Sequence, residues 1–127
     1  YEIAFGDSMR IRAREADLLV TITNDTWFGA SIGPHQHMQI ARVRALENGR
    51  WLVRAANDGI TGIIDHNGNV RDQLPQFTEG VLKGEFQTMQ GRTPYNLFGN
   101  TLFFVMLIVL GVMVGLYRYK VAIRVKG

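Results

Sequence analysis

The chain has 127 residues, 46% of them hydrophobic, with fourteen Lys/Arg against eleven Asp/Glu and no cysteine. Without cysteine, neither a disulfide framework nor a thiolate metal site exists within it. Four of the basic residues lie in 118–127, leaving ten basic against eleven acidic over 1–117, a net of −1; the basic balance belongs to the C-terminal flank and argues against nucleic-acid binding.

Tyr1-Glu2-Ile3-Ala4-Phe5 opens in mid-pattern, with no cap or initiator Met, so the chain is expected to be the C-terminal part of something longer. Residues 9–16, rich in Arg10, Arg12, Arg14 and Glu15, read as a helix closed by Asp17. The β-branched run over 18–23 reads as a strand bounded by Asn24-Asp25. With apolar residues on both faces, it suits a central strand covered on each side. A loop over 24–33 carries Trp27-Phe28-Gly29 and ends in Gly33-Pro34. Pro34 then starts a helix to about Asn48, with Gly49 as its stop and Met38, Ala41, Ala45 and Leu46 on its core side. Residues 51–56 and 60–65 read as strands joined by the turn Asn57-Asp58-Gly59. His66-Asn67-Gly68-Asn69 signals a tight reversal, because Asn-Gly accepts positive φ. Residues 81–86 read as a final strand.

Composition turns to Gly, Thr, Pro and Asn over 87–96, with 91–96 as a linker. Residues 97–117 then run for 21 positions without a charge. As a helix this run is about 31 Å long, matching a hydrocarbon core of roughly 30 Å. Gly99, Gly111 and Gly115 suit a spanning helix, and Asn100 sits near its outer end. The run is not a signal peptide, since its basic residues follow it. Arg118, Lys120, Arg124 and Lys126 mark the tail 118–127 as cytoplasmic under the positive-inside bias. The expected organisation is a polar α/β domain over 1–90, the linker 91–96, a transmembrane helix over 97–117 and the basic tail.

Several blocks taken together resemble the nitrilase superfamily, in particular its bacterial membrane branch, the apolipoprotein N-acyltransferases. They are Tyr1-Glu2-Ile3; Asn24-Asp25-Thr26-Trp27-Phe28-Gly29 with Ser31-Ile32-Gly33-Pro34; Gln36-His37 with Ala41-Arg42; and Arg44-Ala45-Leu46-Glu47-Asn48-Gly49. Arg54-Ala55 with Asn57-Asp58-Gly59, Leu74-Pro75-Gln76-Phe77 and Thr93-Pro94-Tyr95 complete the pattern. The Asn-Asp-x-Trp-Phe-Gly block is the most specific. The Arg-Ala-x-Glu-Asn-Gly block is shared with soluble nitrilases.

The resemblance implies the C-terminal part of an αββα sandwich followed by one transmembrane helix. It places a nucleophilic cysteine immediately before Tyr1, with a general-base glutamate and a lysine further upstream, so this chain alone would not be the catalyst. It implies phospholipid:apolipoprotein N-acyl transfer through a cysteine thioester, without cofactor or metal. The donor is a phospholipid and the acceptor the α-amino group of a diacylglyceryl-cysteine lipoprotein. The setting implied is a multi-pass protein of the bacterial inner membrane, monomeric with its upstream part, its catalytic domain periplasmic.

In that scheme the N–H of Tyr1 helps bind the oxyanion, and Glu2 orients the lysine or the incoming amine. Tyr1 shapes the pocket or is an ordinary packed aromatic. Glu2 has a structural ion pair as its plain alternative. Asn24 lies near the site or caps a turn. Trp27 and Phe28 contact acyl chains or fill a core. His35 and His37, two apart on a helix, point to different faces and do not suggest a metal pair. His66 is expected in solvent, and Glu47 is expected to pair with an Arg. A membrane-tethered amidase and a non-catalytic lipoprotein-binding module stand as the competing functions.

Overall fold

The computed structural model describes residues 2–126. Two compact units divide the chain, Tyr1–Leu97 and Phe98–Gly127.

In the first unit, a 3-10 turn over Glu2–Ala4 leads into α1 (Gly6–Arg12), strand β1 (Leu18–Asn24) and a second 3-10 turn over Thr26–Phe28. Helix α2 (Gly33–Asn48) crosses to β2 (Trp51–Asn57), and β3 (Thr61–Ile64) and β4 (Val70–Leu74) follow as hairpins. The sheet order is β1-β2-β3-β4. β1 and β2 are parallel, in register from Leu18↔Trp51 to Asn24↔Asn57, as a strand–helix–strand crossover requires. β2–β3 and β3–β4 are antiparallel.

The first helix begins and ends earlier than the Arg-rich pattern of 9–16 predicts. Helix α2 agrees with its sequence signals, with Pro in its first turn and Gly49 left-handed at φ 60, donating its N–H back to the last turn. Pro34, His37, Met38, Ala41, Ala45 and Asn48 form its buried face at helical spacing. Leu46, expected on that face, is 54% exposed; at this position in the last turn the inward face passes to Ala45 and Asn48.

One face of the sheet carries the core. Leu19, Leu52 and Ile64 pack there with Ile3, Met9, Ala13, Met38, Ala41, Ala45 and Ile60. The fully buried alanines bring α2 close to the strands. On the opposite face Val20 is 62% and Ile22 80% exposed. Thus β1 is an edge strand with one open face among the described residues, where sequence alone suggested a central, doubly covered one. Its apolar alternation is intact, but no described element lies over Val20 and Ile22.

No strand forms over 81–86. The hairpin at 65–69, with Gly68 at φ 77, closes the ladder locally and gives the free edge of β3 to β4 instead. The sequence Val70-Arg71-Asp72-Gln73-Leu74 is too polar to signal a strand by composition, and its edge position explains why it tolerates that polarity. Residues 80–84 instead cross the open face, where Gly84 sits against Ile63.

The linker is strapped to the domain. Arg50 Nη2 donates to Gly91 O at 2.9 Å, the Thr93 hydroxyl donates to Glu47 O, and Asn96 Nδ2 donates to Arg10 O at 3.1 Å and Asn48 Oδ1 at 3.0 Å. A short helix, α3 (Pro94–Phe98), follows.

In the second unit, Gly99 at φ 56 separates α3 from α4 (Thr101–Lys126), so the long helix starts four residues later than the apolar run. Its stretch Thr101–Val121 has 21 residues at mean hydropathy 2.1 and is long and apolar enough to cross a membrane.

Candidate active site

The polar residues gather at the C-terminal ends of the parallel pair β1–β2, the usual ligand side of parallel strands. Asn24 ends β1 opposite Asn57. Its side-chain oxygen accepts from Thr26 N–H at 3.3 Å and from Asn57 Nδ2 at 3.0 Å. The Thr26 hydroxyl shares its single proton between Asn24 Oδ1 at 2.6 Å and Asp58 Oδ2 at 2.8 Å. Asn24 therefore caps the turn over Thr26–Phe28 and also ties it to the β2–β3 turn. Within that turn Asp58 itself adopts φ 55, a strained value for a residue with a side chain.

Beneath this surface network lies a buried one. Asp25 and Arg54 are both 0% exposed, and Arg54 Nη2 meets Asp25 Oδ2 at 2.7 Å. The other carboxylate oxygen pairs with His37 Nδ1 at 2.9 Å and accepts the Thr23 hydroxyl at 3.0 Å. Arg54 Nε donates to Ile60 O at 3.2 Å, while its Nη1 has no hydrogen-bond partner among the described residues. Burial pulls the Arg54 guanidinium down from its ordinary value and the Asp25 carboxylate pushes it back. Arginine's high intrinsic basicity keeps it a cation throughout. Gly59 is required here, because a Cβ would run into the Asp25 carboxylate and lie 2.9 Å from Ala56 Cβ. The segment Asn57-Asp58-Gly59 is thus a turn, but one fitted to a buried ion cluster.

This cluster fastens the Trp27 loop. Phe28 turns inward and packs edge-on against His37, with centroids 4.9 Å apart at 81°. Trp27, its neighbour, is 73% exposed. Gln76 Nε2 donates to Gly29 O at 2.7 Å, holding the far side of the loop. Of the two aromatics, one serves as packing and the other is presented to the surroundings.

Glu2 begins the first 3-10 turn and lines a cavity of about 250 Å³ with Arg12, Val20, Thr21 and Ile22. The lining of that cavity does not include Asn24, which ends β1, or Trp27 and Phe28 beyond it. Tyr1 lies outside the described residues. Glu47 pairs with Arg44. His66 is half-buried in its hairpin, where solvent was expected. Among the described residues no group of His, Cys, Asp and Glu is arranged to hold a metal ion.

Sequence reasoning missed Asp25, His37 and Arg54 as a unit. The available signal was Arg54 itself, a cation inside Trp51-Leu52-Val53-Arg54-Ala55-Ala56, since a charge within a buried strand demands a buried partner.

The carbon-nitrogen hydrolase family profile matches residues 1–95. An apolipoprotein N-acyltransferase of Pseudomonas paraeruginosa is 52% identical over 95 residues, covering 75% of this chain and 19% of the relative. One of Nitrosomonas europaea is 49% identical over 107 residues, covering 84% and 22%. The chain therefore spans about a fifth of the length of these curated relatives. Saccharomyces cerevisiae Nit3, a member of branch 10 of the nitrilase superfamily, superposes with TM-score 0.50 at 18% identity, over 62% of this chain and 32% of that one, which shows the shared fold. With the profile covering the strands, the Trp27 loop and the buried ion cluster alike, the chain belongs to the carbon-nitrogen hydrolase family.

Proposed function

We propose that this chain is the C-terminal part of a phospholipid:apolipoprotein N-acyltransferase. The observation that carries the reading is the identity of about half the residues with apolipoprotein N-acyltransferases over 95 positions. An apolar helix of spanning length just beyond supports a membrane-embedded substrate.

In a protein of those relatives' length, the residue before Tyr1 is the nucleophilic cysteine. Its thiolate attacks the ester carbonyl of a phospholipid; a carbon–sulfur bond forms, the ester carbon–oxygen bond breaks, and the lysophospholipid leaves after taking a proton. The α-amine of a diacylglyceryl-cysteine lipoprotein then attacks the thioester. The amide forms, the amine gives up a proton and the thiol is released. The Tyr1 N–H contributes to the oxyanion site, and Glu2 orients the lysine or the incoming amine. Asn24 braces the loop that presents Trp27 to an acyl chain, with Phe28 as the inner wedge. The catalytic domain lies on the periplasmic side of the inner membrane as part of a multi-pass monomer, with the C-terminus cytoplasmic.

The test is to incubate the full-length protein with acyl-labelled phospholipid. Label is expected on the residue before Tyr1, released by hydroxylamine and passed to a lipopeptide amine. Ammonia release from small amides without acyl transfer would establish the amidase instead. A full-length protein with no cysteine before Tyr1 would leave only the binding module.

A further inference from the structure

The Arg44-to-Gly49 block and the Thr93-Pro94-Tyr95 block have no role in the chemistry above. They meet in one place, behind the turn that follows the nucleophile position. Arg44, on α2, reaches that turn with its guanidinium. Its Nε donates to Ile3 O at 3.0 Å and its Nη2 to Ala4 O at 3.3 Å. Its Nη1 is taken by Glu47, one turn along the same helix. Glu47 O in turn accepts the Thr93 hydroxyl, and Asn48 Nδ2 closes onto Arg44 O at 2.9 Å.

Gly6, the first residue of α1, makes room for this. A Cβ there would stand 2.9 Å from Arg44 Nη1 and 2.9 Å from the Tyr95 hydroxyl. Burial first, then the Glu47 carboxylate, pushes the Tyr95 hydroxyl above its ordinary value, so it stays neutral beside the ion pair.

The placement runs against simple helix electrostatics. A cation at the N-terminus of α1 faces the positive end of the peptide dipoles, which is unfavourable for the helix. The arrangement therefore serves the turn and not α1. Two consecutive carbonyls gripped by one planar fork fix two peptide planes, which a single flexible ammonium does not do.

We infer that Arg44 is a positioning residue, holding the turn Glu2–Ala4 from behind so that the nucleophile, the oxyanion-binding N–H and Glu2 keep their alignment. This rests on the reading of the residue before Tyr1 as the nucleophile. It assigns the Arg-Ala-x-Glu-Asn-Gly block to support of the nucleophile turn, and it makes Glu47 and Thr93 the braces of Arg44.

The experiment uses the full-length protein as wild type, Arg44→Ala, Arg44→Lys and Arg50→Ala. Arg50 is the control, since it is an arginine still more buried and it too grips backbone, at Ala16 O and Gly91 O, but away from the turn. Two readouts are taken: single-turnover acylation from labelled phospholipid, and alkylation of the nucleophilic thiol by iodoacetamide across pH.

Arg44→Ala is expected to slow acylation at saturating phospholipid by about a hundredfold, the scale of a 1 Å misplacement, with KM little changed. Its alkylation profile should shift in pH, and Arg44→Lys should restore only part of the rate. Arg50→Ala should alter neither readout per folded molecule. Should Arg44→Ala not fold, Gly6→Ala, which displaces the guanidinium without removing it, is expected to show the same losses. The inference is overturned if Arg44→Ala, or Gly6→Ala in its place, matches Arg50→Ala in both readouts. If the wild type alkylates but takes no acyl label, the proposed function fails and the alkylation comparison alone decides the role of Arg44.

Discussion

Helix α2 serves two regions that look alike on paper and differ in kind. Through His37 it meets Asp25, the partner of Arg54, under the Trp27 loop; seven residues on, through Arg44, it meets the turn Glu2–Ala4. Seven residues are two turns, so both side chains leave nearly the same face of the helix, about 10 Å apart along its axis. The front cluster is sealed, with Asp25 and Arg54 wholly buried. The rear cluster is partly wet, with the side chains of Arg44 and Glu47 14% and 24% exposed. A sealed ion pair defines the fold where it sits, because neither charge can revert to water; a wet one can be weakened while the fold survives. The same helix thus couples one structural pivot and one adjustable brace.

The sharpest way to break this comparison is at the front. Arg54→Ala leaves the Asp25 carboxylate buried without its main counter-charge and is expected to cost about 3–5 kcal/mol, read as loss of folded protein in denaturant unfolding. Survival within about 1 kcal/mol of wild type would mean the cluster is not sealed. Next, Gly59→Ala forces a methyl against the Asp25 carboxylate. About 1–3 kcal/mol of destabilisation is expected, read in the same denaturant unfolding.

A third site, outside both clusters, supplies a pH reference. Burial alone raises the Asp65 carboxyl, but hydrogen bonds from Asn69 and Asn67 and the charge of Arg71 outweigh it, and the group sits below its ordinary 3.8. A depressed carboxyl stabilises the fold above its unfolded value, and that contribution is lost as pH falls through the folded one. Below about pH 4 the thermal midpoint should therefore fall more steeply in wild type than in Asp65→Asn, which starts lower.

At the rear, Glu47→Gln should cost only about 0–1 kcal/mol in stability while lowering the acylation rate, a split that the front cluster cannot show. The smallest stability effect is expected at Trp27→Ala, within about 0.5 kcal/mol. Its consequence should appear as a raised KM for long-chain phospholipid and little change for short-chain donors.

Much of the frame could be read from local pattern. The β-branched run of β1, Pro34 and Gly49 at the ends of α2, and the Asn-Gly reversal at 67–68 all act within a few residues, and each appears where expected. Errors fell where local pattern competes with tertiary choice. Residues 81–86 have strand-like composition but pair with no strand, while the polar residues 70–74 take the edge of β3. The segment read as a linker from its Gly, Thr, Pro and Asn content is held by Arg50, Glu47 and Asn96 contacts between residues 41 to 86 positions apart.

For the site, the Asn24-to-Gly29 block was legible as chemistry-bearing, but not the division of labour within it. Only packing decides that Phe28 goes in and Trp27 out, and that Asp25, between two visible motif residues, is the buried hub. The sequence by itself determined the polar stretch, the apolar helix beyond it, the strand–helix–strand order and the family pattern, because periodicity, caps and uncharged length are short-range properties. The tertiary structure alone decided which distant charges are paired and which face is sealed. The Asp25–Arg54 ion pair and the hydrogen bond from Arg44 to the Ile3 carbonyl join residues 29 and 41 positions apart, and no local preference encodes a partner at that distance.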